Sequence, residues 1–242
     1  MTEYFCDRAD AILLDIEGTT TPVEYVFGVL FPFAKVNVEE FLQNHGQERS
    51  VRADLKLLQQ EYALDRDRPI AVPEWNENST TGAVPYIHYL IEIDRKSTGL
   101  KSLQGKIWER GYRDGTLRSQ IFPDVRPAFE RWTGMGKQLF IFSSGSVQAQ
   151  QLLFRYTETG DLTSFLSGYF DTEIGSKKEA DSYRKIAQTI NVSSDRILFI
   201  SDVADELKAA QAAGMQTLFS IRPGNHSSDS QGFRAITSFD SV

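Results

Sequence analysis

The chain has 242 residues, 40% hydrophobic and 24% charged, enough for one good-sized domain or a domain with a smaller insert. A net charge of −7 argues against general affinity for nucleic acid or an anionic membrane surface. Cys6 is the single cysteine, which excludes a disulfide frame and a thiolate metal cluster.

His45, His88 and His226 are scattered without ligand spacing and read as structural or exposed. No apolar run approaches the roughly 20 residues that span a bilayer. Acids precede the first short apolar stretch, unlike the basic start of a signal peptide, so a cytoplasmic location is expected. The triplets at Asn78, Asn191 and Asn225 that match a glycosylation pattern are then expected to be chance matches.

In chain order, "AILLDI" (11–16) reads as a buried strand, short, apolar and without alternation. "VFGVLFPFAKVNVEEFLQ", "SVRADLKLLQQEYAL", "VPYIHYLIEIDRK" and "TGLKSLQGKIWERGYRDG" follow, with apolar residues three and four apart as in helices. A Pro-, Asn- and Thr-rich loop (65–83) interrupts them. "FPDVRPAFERWTGMG" (122–136) reads as a helix ending in glycine. Three further buried strands are expected at 137–144, 196–201 and 216–221. Helical patterns at "SVQAQQLLFRYT", "ADSYRKIAQTI" and "VADELKAAQAAGM" separate them. This alternation predicts an α/β fold, a Rossmann-like doubly wound parallel sheet. The core is expected from residues 1–23 and 119–242, with a helical cap at 24–118 inserted after the first strand.

In such sheets ligands bind beyond the carboxyl ends of the strands. The first expected strand delivers Asp15-Ile16-Glu17-Gly18-Thr19, the second Ser143-Ser144-Gly145-Ser146, and the third Ser201-Asp202 with Asp205 and Glu206 in the next turn. Lys177 and Lys178 precede the third. Taken singly, each has an ordinary alternative as a helix cap or a solvated charge. Together, carboxylates from two strand ends, a hydroxyl with open amides and a lysine suit a phosphate beside a divalent cation. Mg²⁺ prefers hard oxygen ligands, which Asp15 and Asp202 can supply. Asp15 can attack phosphorus, and Glu17 can protonate the leaving oxygen and then activate water. Ser143 and helix-terminal amides would hold phosphoryl oxygens, and Lys177 would neutralise charge.

"DIEGTT", a serine ending strand two, a lysine before strand three and "SDVADE" after it resemble the motifs of the haloacid-dehalogenase-like phosphatases. Glu17, where most of that superfamily has Asp, is similar to one branch, the acireductone synthases (enolase-phosphatases of methionine salvage). "DRKSTGLKSLQGKIWERGY", "SSGSVQAQQLLF", "YFDTEIGSKKEADSYRKIA" and "IRPGN" extend the resemblance over most of the chain. It implies a Mg²⁺-dependent enzyme that enolises 2,3-diketo-5-methylthiopentyl-1-phosphate and then dephosphorylates it to 1,2-dihydroxy-3-keto-5-methylthiopentene. It also implies Asp15, Glu17 (through its backbone carbonyl) and Asp202 as metal-site residues, with Ser143, Ser144 and Lys177 binding substrate. Spacing leaves Lys177 and Lys178 open, and the similarity of "IGSK" favours Lys177. Asp205 and Glu206 are both read as supporting acids.

Two other readings share these motifs. One is a capped phosphatase acting on another small phosphate ester. The other is a phospho-accepting signalling module, disfavoured by the long insert and by Glu17. The insert is expected to close over the sheet edge and to offer apolar surface for a methylthio tail. Phe27, Phe31, Tyr86, Tyr89 and Trp108 are candidates for that contact, although packing the insert's own core is the more ordinary role for each. A monomer is the default expectation.

Overall fold

A computed structural model describes residues 5–69, 71–225 and 229–242. The chain divides into two compact units, one from Met1–Val26 with Arg118–Val242 and the other from Phe27–Leu117. His226, named above, and Ser227, the last residue of the Asn225 triplet, lie outside the described residues.

The first unit is built on a parallel sheet of six strands in the order β3-β2-β1-β4-β5-β6. Its strands are β1 (Ala11–Leu14), β2 (Gln138–Phe142), β3 (Gly168–Phe170), β4 (Ile197–Ser201), β5 (Gln216–Ser220) and β6 (Ala235–Ile236). The near-continuous apolar runs follow from burial on both faces. Ala11, Leu13, Phe140, Phe142, Ile197 and Phe199 pack into one core, while Ile12, Leu14, Leu139, Ile141, Leu198 and Ile200 pack into the other. Helices α6 (Val125–Gly134) and α7 (Val147–Arg155) follow the insert and β2, and α8 (Ala180–Ile190) and α9 (Ala204–Ala212) flank β4. β3 and β6 are absent from the sequence reading because "GYF" and "AI" are too short to register as apolar runs.

The second unit is helical: α2 (Phe31–His45), α3 (Arg49–Arg66), α4 (Val84–Glu92) and α5 (Thr98–Arg113). A short α1 (Val23–Tyr25) and one π-helical turn at Val26–Leu30 precede α2, where a continuous helix is expected from sequence. α4 stops earlier than its apolar spacing suggests, because Asp94 adopts a left-handed conformation (φ +48°) and Arg95 N–H closes back on Leu90 O at 2.9 Å. Asp65, buried in this unit, accepts from the Tyr86 hydroxyl at 2.9 Å and from the Arg95 guanidinium at 2.6 Å. Tyr86 is fully buried, with its ring against Tyr62 and Trp75, so it packs this unit's own core instead of offering surface to a ligand. Trp108 is likewise buried and donates to Leu30 O at 2.8 Å. Of the five aromatic candidates only Phe27 is substantially exposed, at 41%.

Phe199 is fully buried in β4 with its ring centroid 5.1 Å from that of Tyr183. Phe199→Ala should lower the free energy of unfolding by about 3–5 kcal/mol, because a cavity replaces the ring. A urea titration showing a lower midpoint at unchanged slope would bear this out.

Candidate active site

β1 lies between β2 and β4, where the order of connections reverses, and this is the crevice in which doubly wound sheets bind ligands. Asp15, Glu17, Ser143, Ser144, Lys177, Asp202 and Glu206 line one cavity there of about 370 Å³.

The turn after β1 is wound on one carbonyl. Ile16 O accepts from the amides of Thr19, Thr20 and Thr21 at 3.2, 2.9 and 2.9 Å. Gly18 takes φ +66°, which favours glycine. A Cβ there would also meet Asp202 Oδ2 at 2.2 Å, so the missing side chain is what lets Asp202 approach this turn. The turn is clamped from the end of β5. Ser220 Oγ and Asn225 Nδ2 each donate to Gly18 O at 3.1 Å, and Arg222 Nε donates to Thr19 O at 3.2 Å. Arg222 is itself fixed by Asp124 at 2.8 Å and by the faces of Phe122 and Phe239.

Lys177 is buried and its ammonium donates to Asp15 Oδ1 and to Glu206 Oε2, both at 2.7 Å. Its backbone is held by the Tyr183 hydroxyl, which donates to Lys177 O at 2.7 Å. Lys178 is exposed, so of the adjacent pair Lys177 is the one facing the cavity. Asp205 also borders the cavity but is exposed and ion-paired to Lys208 at 3.0 Å, whereas Glu206 is buried against Lys177. Asp15 Oδ1 further accepts from the Ile16 amide at 2.8 Å.

Six carboxylates, those of Asp15, Glu17, Asp202, Glu206 and the more exposed Asp205 and Asp229, line this cavity with one ammonium. The imbalance shows in the acidities. Burial pushes the Asp202 carboxyl up to about 7, aided by the charges of Asp15, Glu17 and Glu206. Burial, then Asp15, pushes Glu206 up to about 7 against the pull of Lys177. For Lys177, burial favours the neutral amine, but the two carboxylates outweigh it and its pKa lies above the ordinary lysine value. Excess negative charge on hard oxygens is what a small divalent cation would offset. No three His, Cys, Asp or Glu side chains form a ready metal cluster among the described residues. A cation here would therefore rest on two carboxylates together with main-chain and substrate oxygens.

The surroundings of the two serines expected to hold phosphate differ from the sequence reading in one respect. The helix after β2 begins at Val147, not directly after Ser143, and two of its first amides are in use. Val147 N–H donates to Asp171 Oδ2 at 3.2 Å and Ala149 N–H to Ser146 Oγ at 3.3 Å, so Ser146 and Asp171 cap the helix. Ser143 and Ser144 still line the cavity, on a loop that Gln150 Nε2 holds through Gly145 O and Phe170 O.

Sequence reasoning missed Ser201, Ser220, Arg222, Asn225 and Gln150 as site-building residues. Ser201 carried a visible signal, a polar residue closing an otherwise apolar strand directly before Asp202. Ser220, Arg222 and Asn225 act across about two hundred residues, which local patterning does not reveal. Gln150 reads as one more polar position of a helix, although it reaches back to Gly145 O and across to Phe170 O.

The family model for haloacid dehalogenase-like hydrolases matches residues 9–214. The chain is 54% identical to "Enolase-phosphatase E1" of Synechococcus elongatus, over 96% of each chain. It is 42% identical to the grapevine (Vitis vinifera) "Probable bifunctional methylthioribulose-1-phosphate dehydratase/enolase-phosphatase E1 1", over 96% of this chain and 46% of that one. The crystal structure of the UTR4 protein of Saccharomyces cerevisiae superposes with a TM-score of 0.77 at 32% identity, covering 97% of this chain and 100% of that one. By sequence and by fold, the chain belongs to the enolase-phosphatase E1 family of the haloacid dehalogenase-like hydrolases.

Proposed function

We propose that the protein is a bifunctional enolase-phosphatase that enolises 2,3-diketo-5-methylthiopentyl-1-phosphate and then releases phosphate, yielding 1,2-dihydroxy-3-keto-5-methylthiopentene in methionine salvage. The observation that carries the phosphatase half is the buried contact of Lys177 with Asp15, in a cavity shared with Asp202, Ser143 and Ser144. The substrate rests on the 54% identity to a named enolase-phosphatase over nearly the full chain. The grapevine protein's name joins this activity to a dehydratase acting on methylthioribulose-1-phosphate, which fits a ketose phosphate precursor.

Mg²⁺ is the cation that suits the donor set, with Asp15, Asp202 and the Glu17 backbone carbonyl to hold it. When bound, it would mask phosphate charge against the surrounding carboxylates. Asp15 then attacks phosphorus and the ester P–O bond breaks, leaving an aspartyl-phosphate. Glu17 gives its proton to the departing oxygen. As a carboxylate it next takes a proton from the water that attacks the phosphoryl group, and Asp15 is regenerated. Lys177 pairs with Asp15 and offsets charge on the transferring group, while Ser143 and Ser144 bind its oxygens. Glu17 is also our assignment for the base that takes the carbon proton during enolisation. All of these side chains come from the sheet-bearing unit.

Asp15→Asn should cut phosphate release by at least about 10³-fold, as removal of a nucleophile does, while some enolisation persists. Ultraviolet absorbance of the enol alongside a phosphate assay separates the two steps, and simultaneous loss of both with metal still bound would show that they share more than is assigned here. Gly18→Ala should push Asp202 aside and weaken Mg²⁺ binding about 10- to 100-fold, the usual effect of disturbing a ligand's support. Calorimetric titration of the metal alone reads that change, and an unaltered affinity would remove Asp202 from the metal site.

A further inference from the structure

Ser201, the last residue of β4, has no part in the roles assigned above. It is fully buried. Its hydroxyl lies 3.0 Å from Asp15 Oδ2 and 3.0 Å from Glu206 Oε2, while Oγ accepts from Val203 N–H at 3.1 Å. A serine carries one hydroxyl proton, so two carboxylate oxygens face a single donor. Lys177 bridges the same two carboxylates from the other side. Asp15, Ser201, Glu206 and Lys177 thus close a ring in which both oxygens of Asp15 are held, Oδ1 by Lys177 and the Ile16 amide, Oδ2 by Ser201. A serine that only capped the strand end would be satisfied by one acceptor. The second carboxylate is what a purely structural role does not require.

We propose that Ser201 is a positioning residue whose hydroxyl turns from Asp15 to Glu206 as Asp15 takes up the phosphoryl group. This deepens the reading of Asp15 as nucleophile and rests on it. Before transfer, the Asp15 carboxylate draws the hydroxyl proton and is held in one rotamer facing the substrate. Transfer forms the Asp15 O–P bond and breaks the ester P–O bond, and the electron pair leaves with the ester oxygen, which takes its proton from Glu17. Asp15 is then an acyl phosphate, whose neutral carbonyl accepts a hydrogen bond more weakly than a carboxylate does. The hydroxyl therefore turns to Glu206 Oε2, the oxygen that also accepts from Lys177 at 2.7 Å, and the shared contact keeps the ammonium beside the phosphoryl group. Attack by water frees the Asp15 carboxylate and the hydroxyl returns. Ser201 itself neither gains nor loses its proton in the cycle.

The test compares wild type, Ser201→Ala, Ser201→Cys and Ser201→Thr in the full chain with Mg²⁺ and the diketo-phosphate, measuring phosphate release and thermal midpoint. Loss of a hydrogen bond to a charged group predicts a fall in kcat of about 10- to 100-fold for Ser201→Ala. KM should stay within about threefold, since the interaction orients the nucleophile without touching substrate. Ser201→Cys, close in size but a poor donor, should show the same split, so it decides the matter where the alanine variant fails to fold. Ser201→Thr, which keeps the hydroxyl, should recover most of the lost rate. A kcat within twofold of wild type for the alanine or cysteine variant would overturn the inference, and so would a threonine variant as impaired as both. An inactive wild type would instead overturn the parent reading of Asp15, and this inference with it.

Discussion

The structure of this site depends on one buried ammonium shared by two carboxylates. Lys177 lies 2.7 Å from both Asp15 and Glu206, with little solvent to screen any of the three. Removing such charges from water costs several kcal/mol per ion, and their attraction repays this only with good geometry and further hydrogen bonds. Those bonds are present: Ile16 N–H and Ser201 support Asp15, and Ser201 also reaches Glu206. Buried ion pairs are weak evidence for stability, so their presence here is better explained by chemistry than by folding. The contacts hold the Asp15 carboxylate in one orientation, as the proposed role of attacking oxygen requires. The remaining negative charge, from Glu17 and Asp202, sits where a divalent cation would balance it.

Much of this was legible in the sequence, for identifiable reasons. Strands buried on both faces lose their polar alternation, so "AILL", "QLFIF", "ILFIS" and "QTLFS" announced themselves. Asp15 and Asp202 could be placed together because both follow such strands, and a parallel sheet brings their carboxyl ends to one edge. Spacing read Lys177 only together with its neighbour Lys178, and the resemblance at "IGSK" is what favoured Lys177, since the choice between them depends on how the loop before α8 folds. Tyr183 and Gly175 (φ +141°) shape that loop, and neither signals its role by spacing.

What was illegible is mostly held by contacts distant in sequence. The clamp on the Gly18 turn joins residues about two hundred positions apart, through Ser220, Arg222 and Asn225. Nothing in the local pattern of "IRPGN" says that it reaches the first strand. The capping of α7 by Asp171 is similar, and it engages the Val147 amide, one of those that a serine before a helix had suggested for phosphate. In the helical unit, periodicity located the four helices but could not tell a core aromatic such as Tyr86 from one available to a ligand, because both obey the same spacing.

A crystal structure of the protein grown with Mg²⁺ and beryllium fluoride, which mimics a phosphoryl group on a carboxylate, most directly tests whether Asp15 is the phosphoryl acceptor beside a cation shared with Asp202. Beryllium bonded to an Asp15 oxygen, with the metal touching both Asp15 and Asp202, is the expected result. Beryllium bonded to Ser143 or another side chain, or a metal seated away from Asp202, would contradict it.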